Sequence, residues 1–314
     1  MKVLIELPTW LGDTVMSTPA IENIIDHYEN AEIVLLGNES SLDIFKENPR
    51  ITRVEILKKR IRELAKIPRK IGKCNIFFSF RGSFRSRLLC YFLDVSQTFQ
   101  YQKRNFNYGH QVEKYCQFVN QSINRKYKPG NLIVFHSQDK FSGKLRLGIN
   151  PGASYGSAKR WTISGFSRVA IELSKYYEII IFGSKEEQKI ANEIENTLKS
   201  RNINNFSNLA GKTTIPQLIT EISKLTVFVT SDSGPMHIAA ALGIPSVSIF
   251  GPTRDYETSQ WKNKKSIILK SNLDCQPCMK RTCPLGHNLC MKNISKDDVI
   301  NSINLISANK IKCI

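Results

Sequence analysis

The sequence predicts an α/β protein of two similar halves, each built on a mostly parallel sheet. Three observations carry this. Short β-rich apolar runs alternate with segments of helical period along nearly all of the 314 residues. The alternation weakens over residues 124–144, a polar stretch holding Pro129, Gly130 and Gly143, and then resumes. A chain of this length suits two ordinary domains, and 41% apolar residues are enough to fill their cores. The division is set after residue 143, giving domains 1–143 and 144–314, with a ligand cleft expected between two such halves.

In the first half, residues 3–7 read as a strand. A helix is expected over about 19–28, since Thr18 suits an N-cap and Pro19 a first helical position. Ala20, Ile21, Ile24, Ile25 and Tyr28 then share one face. Residues 12–17 are left as a short turn, with Asp13 beside Gly12. AEIVLLG (31–37) and NIFFSF (75–80) are the next strands. In the second half, strands at 145–150, 178–183, 226–230 and 245–251 alternate with helices at 163–177, 186–200, 215–225 and 235–243. The last segment, about 295–308, is helical and is the candidate to pack back on the first half.

The net charge is +18, from 45 Lys and Arg against 27 Asp and Glu. Residues 50–73 hold ten basic and two acidic side chains, a local excess of +8, which Arg81, Arg85, Arg87, Lys103 and Arg104 extend. Such a surface attracts a phosphorylated substrate, an anionic membrane face or nucleic acid, or simply keeps the chain soluble. No apolar run approaches the roughly 20 residues that span a bilayer. The N-terminus, MKVLIELPTW, lacks the apolar core and cleavage site of a secretory signal. The chain is expected in the cytoplasm.

Three strand-to-helix junctions carry candidate chemistry. In VFVTSDSGPMHIAAALGIPSVSIFGPT (227–253), a buried strand ends in a small polar loop and a helix begins. The first amides of that helix lack internal partners and form an anion site with its dipole. Ser233 and Gly234 let a diphosphate approach the backbone, Asp232 can accept from sugar hydroxyls, and His237 can donate to a phosphate. A helix capped by Asp232 or Ser233 explains the same residues without a ligand. NPGASYGSAKRW (150–161) is a donor-rich cationic loop with two Gly, two Ser, Lys159 and Arg160. It suits a phosphate, although it has neither P-loop nor dinucleotide-turn spacing. In FGSKEEQKIA (182–191), Glu186 or Glu187 can bind ribose hydroxyls or serve as first-turn acids. In the first half, Asp13 is either a helix-start residue or the group that does chemistry.

Of the eight Cys, Cys74, Cys90 and Cys116 sit in apolar surroundings that suit buried thiols. Cys275, Cys278, Cys283 and Cys290 cluster within 16 residues. Four thiols have the number and type for a tetrahedral zinc site, without the spacing of paired C-x2-C knuckles. The opposing reading is a thiol-rich loop packed near the ligand site. A basic zinc-containing nucleic-acid-binding protein would use this cluster and the charge, but no helix-turn-helix or aromatic RNA platform is present.

LPTWLGDTVMSTPA (7–20), HQVEKY (110–115), NPGASYGSAKRW and SDSGPMHIAAALGIPSVSIFGPT occur in the same order as, and together resemble, motifs of the glycosyltransferase family 9 heptosyltransferases, which build the inner core of bacterial lipopolysaccharide. The likeness covers most of the chain. WLGD, PGASYG-x-AKRW and CQPCMKRTCPLGHNLC are most similar to the members that add the second heptose. Thr9 and Thr162 depart from the family's usual Asn and Pro, which cautions against assuming an identical acceptor.

The resemblance implies a GT-B fold, two Rossmann-like domains with parallel sheets facing across a cleft, the first binding acceptor and the second donor. It implies inverting transfer of L-glycero-D-manno-heptose from ADP-heptose to the first heptose of heptosyl-Kdo2-lipid A, by a peripheral enzyme at the inner leaflet of the cytoplasmic membrane, with no nucleic-acid partner. Other family 9 acceptors or ADP-sugars are the alternatives. Asp13 would be the general base and Lys159 would stabilise the leaving diphosphate. Ser154, Lys159, Glu186, Asp232, Ser233, Gly234, Pro235, Met236 and His237 would hold the donor, and Trp10, Gly12, Arg81 and Arg85 the acceptor. No cofactor or catalytic metal is expected, as is general for inverting GT-B enzymes.

Overall fold

The computed structural model describes residues 1–58, 60–136 and 143–311, the last four by backbone alone. The chain forms two compact units, Met1–His136 and Ser137–Ile314. The polar stretch read as the boundary ends at 143–144, and its residues 137–142 lie outside the described residues.

The first unit runs β1 (Lys2–Glu6), α1 (Leu11–His27), β2 (Glu32–Gly37), α2 (Glu39–Leu42), β3 (Arg53–Ile56), α3 (Ile67–Ile71), β4 (Cys74–Ser79), α4 (Phe84–Phe92), β5 (Val95–Gln100) and α5 (Gln111–Ile123). Its strands lie in the order β3-β2-β1-β4-β5, and every neighbouring pair is parallel. Val3, Leu4 and Ile5 of β1 are fully buried, as a central strand covered on both faces requires.

The second unit runs β6 (Arg146–Asn150), α6 (Ile163–Leu173), β7 (Glu178–Ile181), α7 (Gln188–Ser200), β8 (Phe206–Asn208), α8 (Ile215–Ser223), β9 (Val227–Ser231), α9 (Gly234–Ala241), β10 (Ser246–Phe250), α10 (Asp255–Thr258), β11 (Ser266–Lys270), α11 (Leu289–Lys292) and α12 (Lys296–Ile311). Its parallel sheet has the order β11-β10-β9-β6-β7-β8. Trp161, Phe166, Tyr177 and Ile249 lie in its main buried cluster. α12 packs on α6, β10 and β11 of its own unit.

One expectation is corrected. The first helix does not begin at Pro19. It begins at Leu11 and carries Pro19 in its interior. Proline leaves the carbonyl four residues back without its amide partner. Here the Thr18 hydroxyl donates to the Val15 carbonyl at 2.8 Å, and Ser17 donates to Thr14 at 2.8 Å. These local bonds let the helix run through the proline. Residues 12–17 are therefore helix, not turn, and Asp13 lies in its first turn.

Candidate active-site residues

In each sheet the chain winds outward in both directions from one pair of central strands, β1 and β4 in the first unit and β6 and β9 in the second. Loops that leave such a pair diverge, and the crevice at the carboxyl ends of the strands is where open α/β sheets bind ligands. Asp13, Trp10, Gly12, Arg81 and Arg85 follow the central pair of the first sheet, and Ser154, Lys159 and Asp232 to His237 that of the second, whereas Glu186 follows the neighbouring β7.

In the first unit, Asp13 is half-buried at the start of α1, just past β1. The positive end of the helix favours a carboxylate there. Burial foremost, and then the Asp13 charge, hold the Tyr115 phenol of α5 well above its ordinary value, so Asp13 lies near that helix. Trp10, exposed just before α1, turns its carbonyl to the amide and hydroxyl of Thr14 at 2.9 and 3.0 Å. Gly12 shares the same turn.

Glu6, the last residue of β1, was not singled out from the sequence and is fully buried. Its carboxylate accepts from the hydroxyls of Ser79 at 2.5 Å and Ser86 at 3.0 Å, with Arg81 Nη1 at 3.4 Å. Burial outweighs these partners and pushes the Glu6 carboxyl up. Arg85, which donates to the Lys58 carbonyl, has its own pKa lowered by burial first and by the neighbouring Arg81 charge second. The two predicted arginines are thus brought together near one buried carboxylate.

In the second unit, Lys159 Nζ lies 2.5 Å from Asp232 Oδ2, and the Thr253 hydroxyl donates to the same oxygen at 2.6 Å. The ammonium also sits 4.6 Å from the centre of the Tyr155 ring. Asn150, ending β6, donates to Ser233 Oγ at 3.1 Å and ties the two donor loops together. Ser233 stands at the N-cap position of α9 without a side-chain cap bond; Pro235 has no amide, and the Met236 amide donates to the Ser233 carbonyl at 3.2 Å, so Gly234 offers the first amide of the helix. Gly156 is needed because the Arg281 carbonyl packs 2.2 Å from where a Cβ would stand.

The remaining predicted donor residues are placed unevenly. Ser154 and Glu186 are exposed. Glu187 is consumed as a cap: its buried carboxylate accepts from the Ser184 amide at 2.8 Å and fills the space over Gly152. Gly234 and Pro235 are partly exposed, whereas Met236 is fully buried and offers only backbone. His237 is buried in the first turn of α9. Thr253 and Asn150, both inside quoted motifs, had no chemical signal of their own.

The four clustered cysteines line one small cavity with Ala158 and Pro252, next to the turn that carries Lys159. The Asn288 amide, 3.4 Å from the sulfur, leads a group of backbone donors that hold the Cys283 thiol below its ordinary range. Burial, and then the other three sulfurs, push Cys290 up. Among the described residues no group of three or more His, Cys, Asp or Glu is placed to hold a metal ion.

Residues 76–289 match the model of glycosyltransferase family 9 (heptosyltransferase). The chain belongs to this family. As a family 9 member it is a transferase. It is 40% identical over 309 residues to "Lipooligosaccharide heptosyltransferase 2" of Campylobacter jejuni, covering 96% of each chain. A relative of the same name from Haemophilus ducreyi is 26% identical over 98% of this chain and 100% of its own. The structure of Escherichia coli ADP-heptose LPS heptosyltransferase II matches with a TM-score of 0.82 at 22% identity, over 99% of both chains. A family 9 glycosyl transferase of Veillonella parvula matches at 0.80 and 18% identity, over 98% of this chain and 97% of that one. These structural likenesses establish the fold of the family 9 enzymes, GT-B, with its two parallel-sheet domains.

Proposed function

We propose that this family 9 enzyme transfers L-glycero-D-manno-heptose from ADP-heptose to the first heptose of the lipopolysaccharide inner core, with inversion at the anomeric carbon. The observation that carries the reading is the junction of Lys159, Asp232 and Thr253 at the uncapped start of α9. It gathers a cation and the positive end of a helix at one point, as a diphosphate leaving group requires. The name and length match of the Campylobacter relative support the choice of sugar and acceptor.

In this reading the second unit holds the donor. Lys159 and the helix N-terminus at Ser233–His237 neutralise the diphosphate, with Ser154 assisting, Asp232 holding heptose hydroxyls and Glu186 the ribose. Because Lys159 and Thr253 occupy Asp232 Oδ2, its other oxygen serves the sugar. The first unit holds the acceptor: Arg81 and Arg85 meet its acidic groups, and Trp10 and Gly12 line the sugar. The acceptor hydroxyl attacks the anomeric carbon opposite the diphosphate, Asp13 takes the hydroxyl proton, and the bond to ADP breaks with its electron pair on the leaving oxygen. Lys159 and the helix N-terminus serve the leaving group, and the proposed reaction is metal-independent. The lipid-borne acceptor places the enzyme peripherally at the inner face of the cytoplasmic membrane; no helix among the described residues is long and apolar enough to cross one.

In EDTA, the protein should release ADP from ADP-heptose only when a heptose-bearing core acceptor is present. Lys159→Ala should raise the donor KM and lower kcat, together about a hundredfold or more in kcat/KM. Absence of acceptor-dependent ADP release sinks the reading; unchanged kinetics in the variant remove Lys159 from it.

A further inference from the structure

On the first unit, a helical turn at Ile61–Lys66 packs against α4. Leu64 of the turn, Ile67 and Ile71 of α3, and Leu89 of α4 share one buried cluster. The opposite faces of these elements look outward. On α4, Phe84 and Tyr91 recur with helical spacing on that outer face, while Leu88 between them is half-buried and packs on the cluster. Phe84 is 68% exposed, Tyr91 83% and Ile61 56%. Arg87 lies on the same face of α4, and Arg60, Arg62 and Arg69 are exposed around the turn. Glu63, an acid within the turn, is paired with Lys66 at 2.9 Å. Exposed apolar side chains on two packed elements within a strongly basic surround mark an interaction site.

We propose that this face docks on an anionic phospholipid bilayer. Ile61, Phe84 and Tyr91 enter the headgroup boundary, and the arginines around them meet lipid phosphates. Charge complementarity selects the occupant: residues 50–73 alone carry +8, and an anionic leaflet attracts each nearby cation by about 1 kcal/mol. The apolar members choose lipid over nucleic acid, since Ile61 and Phe84 gain only where hydrocarbon is available. The inference deepens the membrane placement proposed above and rests on it for its biological purpose, while the docking itself does not depend on the sugar chemistry.

The test is sedimentation of the full chain with extruded vesicles of phosphatidylcholine alone or mixed with phosphatidylglycerol, both free of lipopolysaccharide. The wild type should bind the mixed vesicles, bind phosphatidylcholine weakly, and release as salt rises from about 0.05 to 0.5 M. The combined variant Ile61→Ser, Phe84→Ser, Tyr91→Ser should partition about tenfold less. It should melt at the wild-type temperature and transfer heptose to a delipidated, water-soluble core at the wild-type rate. Equal partition of variant and wild type, equal binding to both vesicles, or no binding overturns the proposal. So does a concentration-dependent dimer, lost in the variant, in the absence of vesicle binding. Vesicle binding without heptose transfer leaves the docking face standing and removes the enzymatic reading.

Discussion

Asp13 occupies a position where a carboxylate is welcome for two unrelated reasons: it stands in the first turn of α1, and it stands at the carboxyl edge of β1. The helix dipole accounts for a negative charge there without any reaction, so only a kinetic readout separates the roles. Asp13→Asn should keep ADP-heptose binding near the wild-type value while turnover falls about 10²–10⁴-fold. Near-normal turnover would remove Asp13 as the base. Glu6 makes a different, pH-dependent demand. Burial raises its carboxyl, so the folded protein holds that proton more tightly than the unfolded chain does. The stabilisation from protonation is complete below the unfolded value of about 4.3 and is lost as pH rises through the higher folded value. Above the unfolded value, keeping this carboxyl buried costs stability. Glu6→Gln should therefore raise the melting midpoint at pH 7, with the difference closing near pH 4. A lowered midpoint at pH 7 would mean that the loss of a partner for Arg81 outweighs the relief of burial.

Helix α1 shows where element boundaries escape the sequence. Thr18-Pro19 has the form of a helix start, yet the same two residues lie mid-helix because the Thr18 hydroxyl serves the Val15 carbonyl. That hydroxyl also accepts from the Ile133 amide at 2.9 Å. Thr18→Val keeps the shape and strips both bonds, and should cost about 2 kcal/mol or more in urea unfolding with an unchanged slope. A loss under about 0.5 kcal/mol would show that neither bond matters. The central strands were legible because residues such as Val3-Leu4-Ile5 and Val227-Phe228-Val229 form unbroken apolar runs. β3, RVEI, and β5, VSQTFQ, were not, because half-exposed outer strands carry no such run. The donor loops announced themselves through Gly, Ser and Lys. Glu6 and Asn150 did not, because their roles come from sheet register: Glu6 pairs with Ser79, and Asn150 with Thr230. No local pattern reveals a partner some 70 or 80 residues away.

At the scale of the molecule, both units repeat one plan, a parallel sheet with candidate residues gathered at the carboxyl ends of its central strand pair. In the first unit these residues include a carboxylate and two arginines, suited to a hydroxyl nucleophile on an anionic carrier. In the second they include a lysine and a helix N-terminus, suited to a diphosphate. Both units are basic, +8 over residues 1–136 and +10 over 137–314, and in the first the excess lies in residues 50–73, in keeping with the acidic, lipid-borne acceptor proposed for it. Together these features are proposed to serve transfer of one heptose to one particular acceptor. The most direct measurement incubates the protein with ADP-heptose and core acceptors already carrying zero, one or two heptoses, and weighs the products by mass spectrometry. Addition of a single heptose to the one-heptose acceptor alone is the predicted result; transfer to either of the others instead, or to none, would contradict the account.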